Sequence, residues 1–312
     1  MGAGHARGLG SSIRLYWGKF AEHLPEIIRA IAKNQRKGRS IFLLDQFGYS
    51  DVPMEAIKSI FGHLHRAEVL LTFSIDALLN YLSESRGASE TLEQFGVDQA
   101  FIAAWEANKA DDEFARITAQ RAVMTHLRNN SGALFFTPFM LFAQASGRVM
   151  MFAHLSQHQA ARDKMLGVHW EFQNRFLHLS RGSFFELGYD PRLHEDKGSL
   201  FQFTEMDRER MMNELHAELP DRVMSMLGAG SISLQELLAI LGNKTAARNA
   251  DIFSVLQSLS AERALEIFSE EGRVKRPTTA LRVSDRLAIA RQTTFSFGGN
   301  GDRRVIGTAP SG

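Results

Sequence analysis

In "SIFLLDQFGYSDVP", residues 40–53, an apolar run ends abruptly in an acid, and chemistry is expected there. Ile41 to Leu44 show no polar alternation, the pattern of a strand covered on both faces in a parallel sheet. Open α/β sheets bind ligands just beyond the carboxyl ends of their strands. Asp45 therefore sits at a ligand end, followed by Gln46, Phe47, Gly48 and Tyr49. Gly48 suits a sharp turn, and Ser50 or Asp51 can cap a helix with Pro53 in its first turn. Asp76, three residues past the apolar run "EVLLTF", stands at the rim of the same cleft, as a helix cap or as a lining residue.

Two other groups of residues have reactive side chains. His154, His158 and His169 suggest a metal, but His154 falls in a strand and His158 at a helix start, so no common helical face is formed. No acid completes a triad at tight spacing, and no metal site is expected. His63 and His65 read as solvated, and Asp111-Asp112-Glu113 as an acidic helix start favoured by the dipole. Arg273, Lys275 and Arg276 follow Gly272 in "EEGRVKR" and form a basic loop tip able to contact phosphates. No nucleophile elbow and no phosphate-loop lysine is present, against hydrolase and P-loop chemistry.

The composition excludes more than it selects. There are no cysteines, so disulfides, thiolate metal sites and a cysteine nucleophile are ruled out. This fits a reducing, cytoplasmic setting. A net charge of +1 favours no class of partner. Met1 to Ser12 lacks the apolar centre of a signal peptide. The most apolar stretch, "ALFFTPFMLFAQASGRVMMFAHL" at 133–155, is broken by Pro138 and by Ala145-Ser146-Gly147-Arg148. It reads as two buried strands in a hairpin and not as a membrane span. The 23 phenylalanines read mostly as core.

The elements that must position these residues alternate. A short strand is expected at Ile13 to Trp17 and a helix from Phe20 to Lys37, with Phe20, Leu24, Ile27, Ile28 and Ile31 at helical spacing. The strand at 41–44 follows, then a helix at 54–64, a strand at 68–73 and a helix through Leu82. Residues 88–130 read as a helical insertion, able to act as a lid. Leu134 to Phe142 and Val149 to Leu155 form the hairpin, and a helix runs from Gln157 to about Phe176. This is an α/β domain over residues 1–204.

From 205 to 297 the character changes. Met206 to Leu227 is helical. Ser233 caps "LQELLAILG" with Glu236 in the capping-box position, and a third helix runs from Thr245 through Leu259. Two short strands, "ALEIF" and "ALRV", flank the basic loop. Three helices and a two-stranded wing describe a winged helix-turn-helix. Residues 241–312 hold 11 Lys/Arg against 7 Asp/Glu, and 298–312 read as a disordered tail.

Strand, helix, strand, insertion and hairpin is the order of the C-terminal half of a Rossmann-like class I methyltransferase sheet. "FLLDQFGYSDVPMEAI", "RAEVLLTFSIDALLNYL", "VMMFAHLSQHQAARDKMLGVHW" and "ALEIFSEEGRVKR", in that order, resemble the three-Cys-motif partner (TcmP) family over roughly residues 13–295. The resemblance implies a methyltransferase-like domain with a C-terminal winged helix, S-adenosylmethionine as cofactor, and a partner protein of radical S-adenosylmethionine type carrying three cysteines. It also implies substrate roles at the strand end: Asp45 accepting a hydrogen bond from a target nitrogen and Phe47 stacking on its ring. Here Gln46 replaces the family's proline and removes the rigidity that would shape the loop. If Ile13 to Trp17 is the third strand of such a sheet, the two that build the cofactor site are missing, and the chain reads as an incomplete domain. "GAGHARGLG", with Gly2 and Gly4 spaced as in a cofactor loop, follows no strand and reads as a loose start. The two functional expectations are a methyltransferase acting on or with nucleic acid, and a non-catalytic partner protein that keeps the fold.

Overall fold

A computed structural model describes residues 13–34, 38–46, 52–74, 124, 126–143, 148–172, 178–181, 186–187, 199–201, 203–227 and 230–290. The chain is mixed α/β. Its main sheet contains β1 (Ser40–Gln46), β2 (Ala67–Ser74), β3 (Phe135–Ala143) and β4 (Arg148–Ser156), in the order β1-β2-β4-β3. β1 and β2 are parallel, in register from Ser40 opposite Ala67 to Gln46 opposite Phe73, and α2 (Met54–His63) connects them. β4 lies between β2 and β3 and runs antiparallel to both. Pro138 is tolerated inside β3 because that strand is at the sheet edge.

One face of this sheet is a closed core. Phe42, Leu44, Val69, Leu71, Phe73, Met151, Ala153 and Leu155 pack against α1 (Phe20–Asn34) and α2. The helical spacing expected for α1 holds: Leu24 and Ile28 are buried, with Phe20, Ile27 and Ile31 packed beside them. The other face is only half covered. α3 (Gln159–Phe172) lies over β3 and β4, where Phe139 stacks on His169. Over β1 this layer is open: Ile41 is 63% and Leu43 75% exposed. The expectation of a β1 buried on both faces is corrected here. α3 spans the far strands, and β1 is the terminal strand of the sheet among the described residues.

Several boundaries also move. Ile13 to Trp17 is not a sheet strand; Leu15 makes one isolated bridge, and Trp17 is exposed. α1 is described from Phe20 to Asn34 and α3 starts at Gln159, two residues later than expected; the expected C-terminal ends of both helices lie outside the described residues. Of the expected insertion at 88–130, only 124 and 126–130 are described, and these are helical. A small sheet, β5 (His178–Arg181), β6 (Glu186–Leu187) and β7 (Ser199–Phe201) in the order β6-β5-β7, was not expected, because segments of two to four residues have no readable period. The expected tail at 298–312 lies outside the described residues.

The C-terminal part contains α4 (Glu205–Leu227), β8 (Ser231–Ser233), α5 (Leu234–Leu241), α6 (Asn249–Ala261), β9 (Leu265–Phe268) and β10 (Arg286–Ile289). Met211, Leu215, Leu219, Val223 and Leu227, four apart, form the buried stripe of α4. The capping box at α5 is present: Ser233 Oγ accepts from the Glu236 amide, and Glu236 accepts from the Ser233 amide. Donation from the Ser233 amide and from its hydroxyl holds the Glu236 carboxyl below its ordinary range. β8, β10 and β9 form an antiparallel sheet in that order, with Leu287 buried between Ile232 and Ile267. The second wing strand is therefore 286–289, and not "ALRV": Val283 is exposed, and the inward position belongs to Leu287.

α6 starts at Asn249, four residues later than expected, because Thr245 to Arg248 bind another element. Trp170 Nε1 donates to the Ala246 carbonyl at 2.9 Å, and Arg162 donates to that of Thr245. Arg162 is almost wholly buried, and burial pulls its pKa down to about 10, so it stays charged at neutral pH. Phe139, Leu166 and Trp170 share one apolar cluster with the C-terminal helices.

Candidate functional site

Asp45 and Thr72 are register partners at the carboxyl ends of β1 and β2. Parallel pairing aims both side chains to the same, open face. The Thr72 hydroxyl donates a hydrogen bond to Asp45 Oδ1. Asp45 is exposed, and its second carboxylate oxygen can accept from an N–H or O–H of a ligand. Gln46 ends β1 opposite Phe73. Phe47, Gly48, Tyr49, Asp76, Gly2 and Gly4 lie outside the described residues. Thr72 was missed as a site residue. Its position inside an apolar run gave no signal, and only the register with Asp45 reveals it.

The histidines do not converge. Fully buried His154 contacts Glu68 Oε2 through Nε2 at 3.1 Å. A carboxylate can only accept, so Nε2 carries the proton and Nδ1 is left without a partner. His169 is stacked on Phe139, and His158 is exposed at the start of α3. No group of three or more metal-ligating side chains occurs among the described residues. Burial holds the His154 imidazole below its ordinary value of 6.5, with the Glu68 contact opposing that shift. The folded protein thus binds fewer protons here than the unfolded chain. This contribution to stability is complete above about pH 6.5 and is lost as pH falls through that value toward the lower folded one, with a slope of up to about 1.4 kcal/mol per pH unit. His154→Gln should flatten the decline. Urea midpoints with the same pH dependence in both proteins below about pH 6.5 would remove His154 as its cause.

The basic loop is built differently from expectation. Gly272, at φ +78°, makes the turn, and Arg273 and Arg276 are exposed. Lys275 does not project. Its Nζ lies 2.7 Å from Asp285 Oδ2 and donates to the Ala280 carbonyl at 2.8 Å. Asp285 also accepts from the Arg282 amide, so the loop is closed around a buried ion pair. α6, "NADIFSVLQSLSA", carries no Lys or Arg. Its first amide donates to Asp163 of α3 at 2.7 Å, and Asp251 is occupied by Arg208 and Arg248.

Asn243, read from sequence as a plain turn residue, joins the two parts. Its Oδ1 accepts from the Phe136 amide at 2.9 Å, and its Nδ2 donates to the Leu134 carbonyl at 2.6 Å. Arg128 donates to its backbone carbonyl. Gly242 packs on Phe135; a Cβ there would lie 2.7 Å from the ring. No helix among the described residues is long and apolar enough to cross a membrane. Comparison with family models, curated proteins and solved structures finds no match to this chain.

Proposed function

We propose that this chain is a methyltransferase-like protein of the three-Cys-motif partner kind, working as a binding protein that presents a substrate group at Asp45 to a partner. The observation that supports this best is the sheet. Two parallel strands are joined through a helix, and a hairpin follows whose second strand inserts antiparallel in the order β1-β2-β4-β3; we read this order as the C-terminal half of a class I methyltransferase layout. In it the Asp45–Thr72 pair occupies the ligand end. A carboxylate steadied by a hydroxyl suits an amino group on the substrate.

S-adenosylmethionine is the cofactor that the resemblance implies. Class I domains hold it with a glycine-rich loop behind one strand and an acid at the end of the next. Neither arrangement occurs among the described residues, so no step is assigned to the cofactor. We read the C-terminal part as a winged helix-turn-helix, from its order of helix, strand, helix, helix and two strands. A protein partner suits it better than nucleic acid. The helix that would read a groove has no cation, and its first turn is engaged by α3.

A calorimetric titration of the full chain with S-adenosylmethionine, with Asp45→Asn alongside, tests this reading. The expected result is no saturable binding of cofactor, and capture of the three-cysteine partner that survives Arg273→Ala with Arg276→Ala. Saturable cofactor binding would replace the binding-protein reading with the enzyme. Loss of duplex binding in the double variant, with a salt slope lowered by about two, would restore nucleic acid as the ligand of the wing.

A further inference from the structure

At the opposite end of the main sheet, where β1 and β2 begin, a cleft of about 270 Å³ is lined by Arg39, Arg66, Glu68, Ser156, His158 and Ala160 among others. It is a separate place from the Asp45 pair: five register steps at about 3.3 Å each put them roughly 16 Å apart. We propose that this cleft binds a phosphate group.

The parallel register carries the inference. Arg39 immediately precedes Ser40 and Arg66 immediately precedes Ala67, and Ser40 and Ala67 are register partners. Ser40 also donates its amide to the Arg66 carbonyl at 3.2 Å, which ties the two strand starts together. Two guanidinium groups are thus brought to one cleft by backbone pairing alone. Neither side chain makes an ion pair or a hydrogen bond among the described residues, and both residues are exposed. Arginines without an acid partner at one cleft suit planar, bidentate binding of phosphate oxygens.

The other walls agree. Ala160 stands in the first turn of the 14-residue helix α3, where the Ala161 and Arg162 amides donate to the His158 carbonyl and the amides of Gln159 and Ala160 before them have no acceptor within the helix. His158 adds an exposed imidazole, while the Ser156 hydroxyl is buried and donates to the His158 carbonyl. Glu68 is the one acid on the wall. Its Oε2 is taken by His154 behind it, and its other oxygen can accept a hydroxyl of the group that carries the phosphate, as on a sugar. The volume is at the low end for ligand sites. It fits a phosphate with one ring and not a whole dinucleotide.

The test uses the full chain at low ionic strength with three probes: pyrophosphate, ATP, and short single-stranded oligonucleotides of increasing length. Arg39→Gln with Arg66→Gln removes both forks from exposed positions, and thermal melting should be unchanged. The expected result is saturable binding by the parent, weakened at least about tenfold in the double variant through loss of charged hydrogen bonds. Arg273→Gln with Arg276→Gln should bind like the parent. Affinity that rises with oligonucleotide length, with a salt slope of about 0.7 per phosphate, identifies a nucleic-acid strand as the source. Equal binding of ATP and of every length identifies a free nucleotide, and both results support the site. No saturable binding of any probe by the parent, or equal binding by the Arg39/Arg66 variant, overturns it. Neither result bears on Asp45 or on cofactor binding, so this site and the proposed function fail independently.

Discussion

Lys275→Ala should be among the most destabilising changes at any charged residue of this protein, at about 3 kcal/mol or more. The side chain of Lys275 is 11% exposed and that of its partner Asp285 is 3% exposed. Removing the ammonium leaves a carboxylate that has almost no access to water and the Arg282 amide as its remaining donor among the described residues. Leaving a buried charge uncompensated costs far more than the pair itself contributes. The neighbours provide the control. Arg273 and Arg276 sit in the same loop, exposed, and their replacement by alanine should stay within about 0.5 kcal/mol of the parent. Chemical denaturation of the three single variants checks this. Asp285→Asn with Lys275→Met should recover part of the loss, since it removes both charges together. A Lys275→Ala protein as stable as Arg273→Ala would mean that the pair opens to solvent.

The second large effect is expected at the turn between α5 and α6. Asn243→Ala deletes two hydrogen bonds to the backbone at the start of β3 and strands the Phe136 amide beside a side chain that is 2% exposed. An unsatisfied buried donor and a lost acceptor contact together cost about 2–4 kcal/mol. Asn243→Asp separates the two halves of the contact. Its carboxylate can still accept from Phe136 but faces the Leu134 carbonyl, so it should fall between the parent and alanine. At Gly242 the sign reverses the usual helix rule. Glycine to alanine in an exposed helix stabilises, but here the new methyl meets the Phe135 ring at 2.7 Å and the Leu238 carbonyl at 3.0 Å. Overpacking of this kind costs about 1–3 kcal/mol. Proteolysis rates and urea midpoints for Asn243→Ala and Gly242→Ala should move together, because both loosen the same seam. If only Gly242→Ala responds, the Asn243 bonds are replaceable by water.

Local chemistry was readable in the sequence, and long-range pairing was not. The β1–α2–β2 unit follows from apolar runs separated by an amphipathic helix, and the Ser233–Glu236 cap follows from three-residue spacing. Lys275 could not be told from Arg273 and Arg276, because its partner lies ten residues on, across a loop with no period. Asn243 looked like any Gly-Asn turn, because its contacts are more than a hundred residues away. The exposure of Ile41 and Leu43 was hidden for a related reason. An apolar run states what could be buried, and only the extent of α3 decides what is. For the candidate site, Asp45 was legible as a strand-end acid, while Thr72, Arg39 and Arg66 emerge only from the register.

The insertion of β4 between β2 and β3 also sets a clock on synthesis. His154, whose strand covers the free edge of β2, lies 86 residues after Glu68. At an elongation rate of about 5–20 residues per second, β2 waits on the order of ten seconds beside the ribosome with its outer edge unpaired. During that interval Val69 and Leu71 lack the cover of Met151, Ala153 and Leu155, and the edge that β4 will take is open to any passing strand. The hairpin β3–β4, whose strands are separated by four residues in sequence, can form before it docks. The hazard therefore ends only when that preformed hairpin arrives.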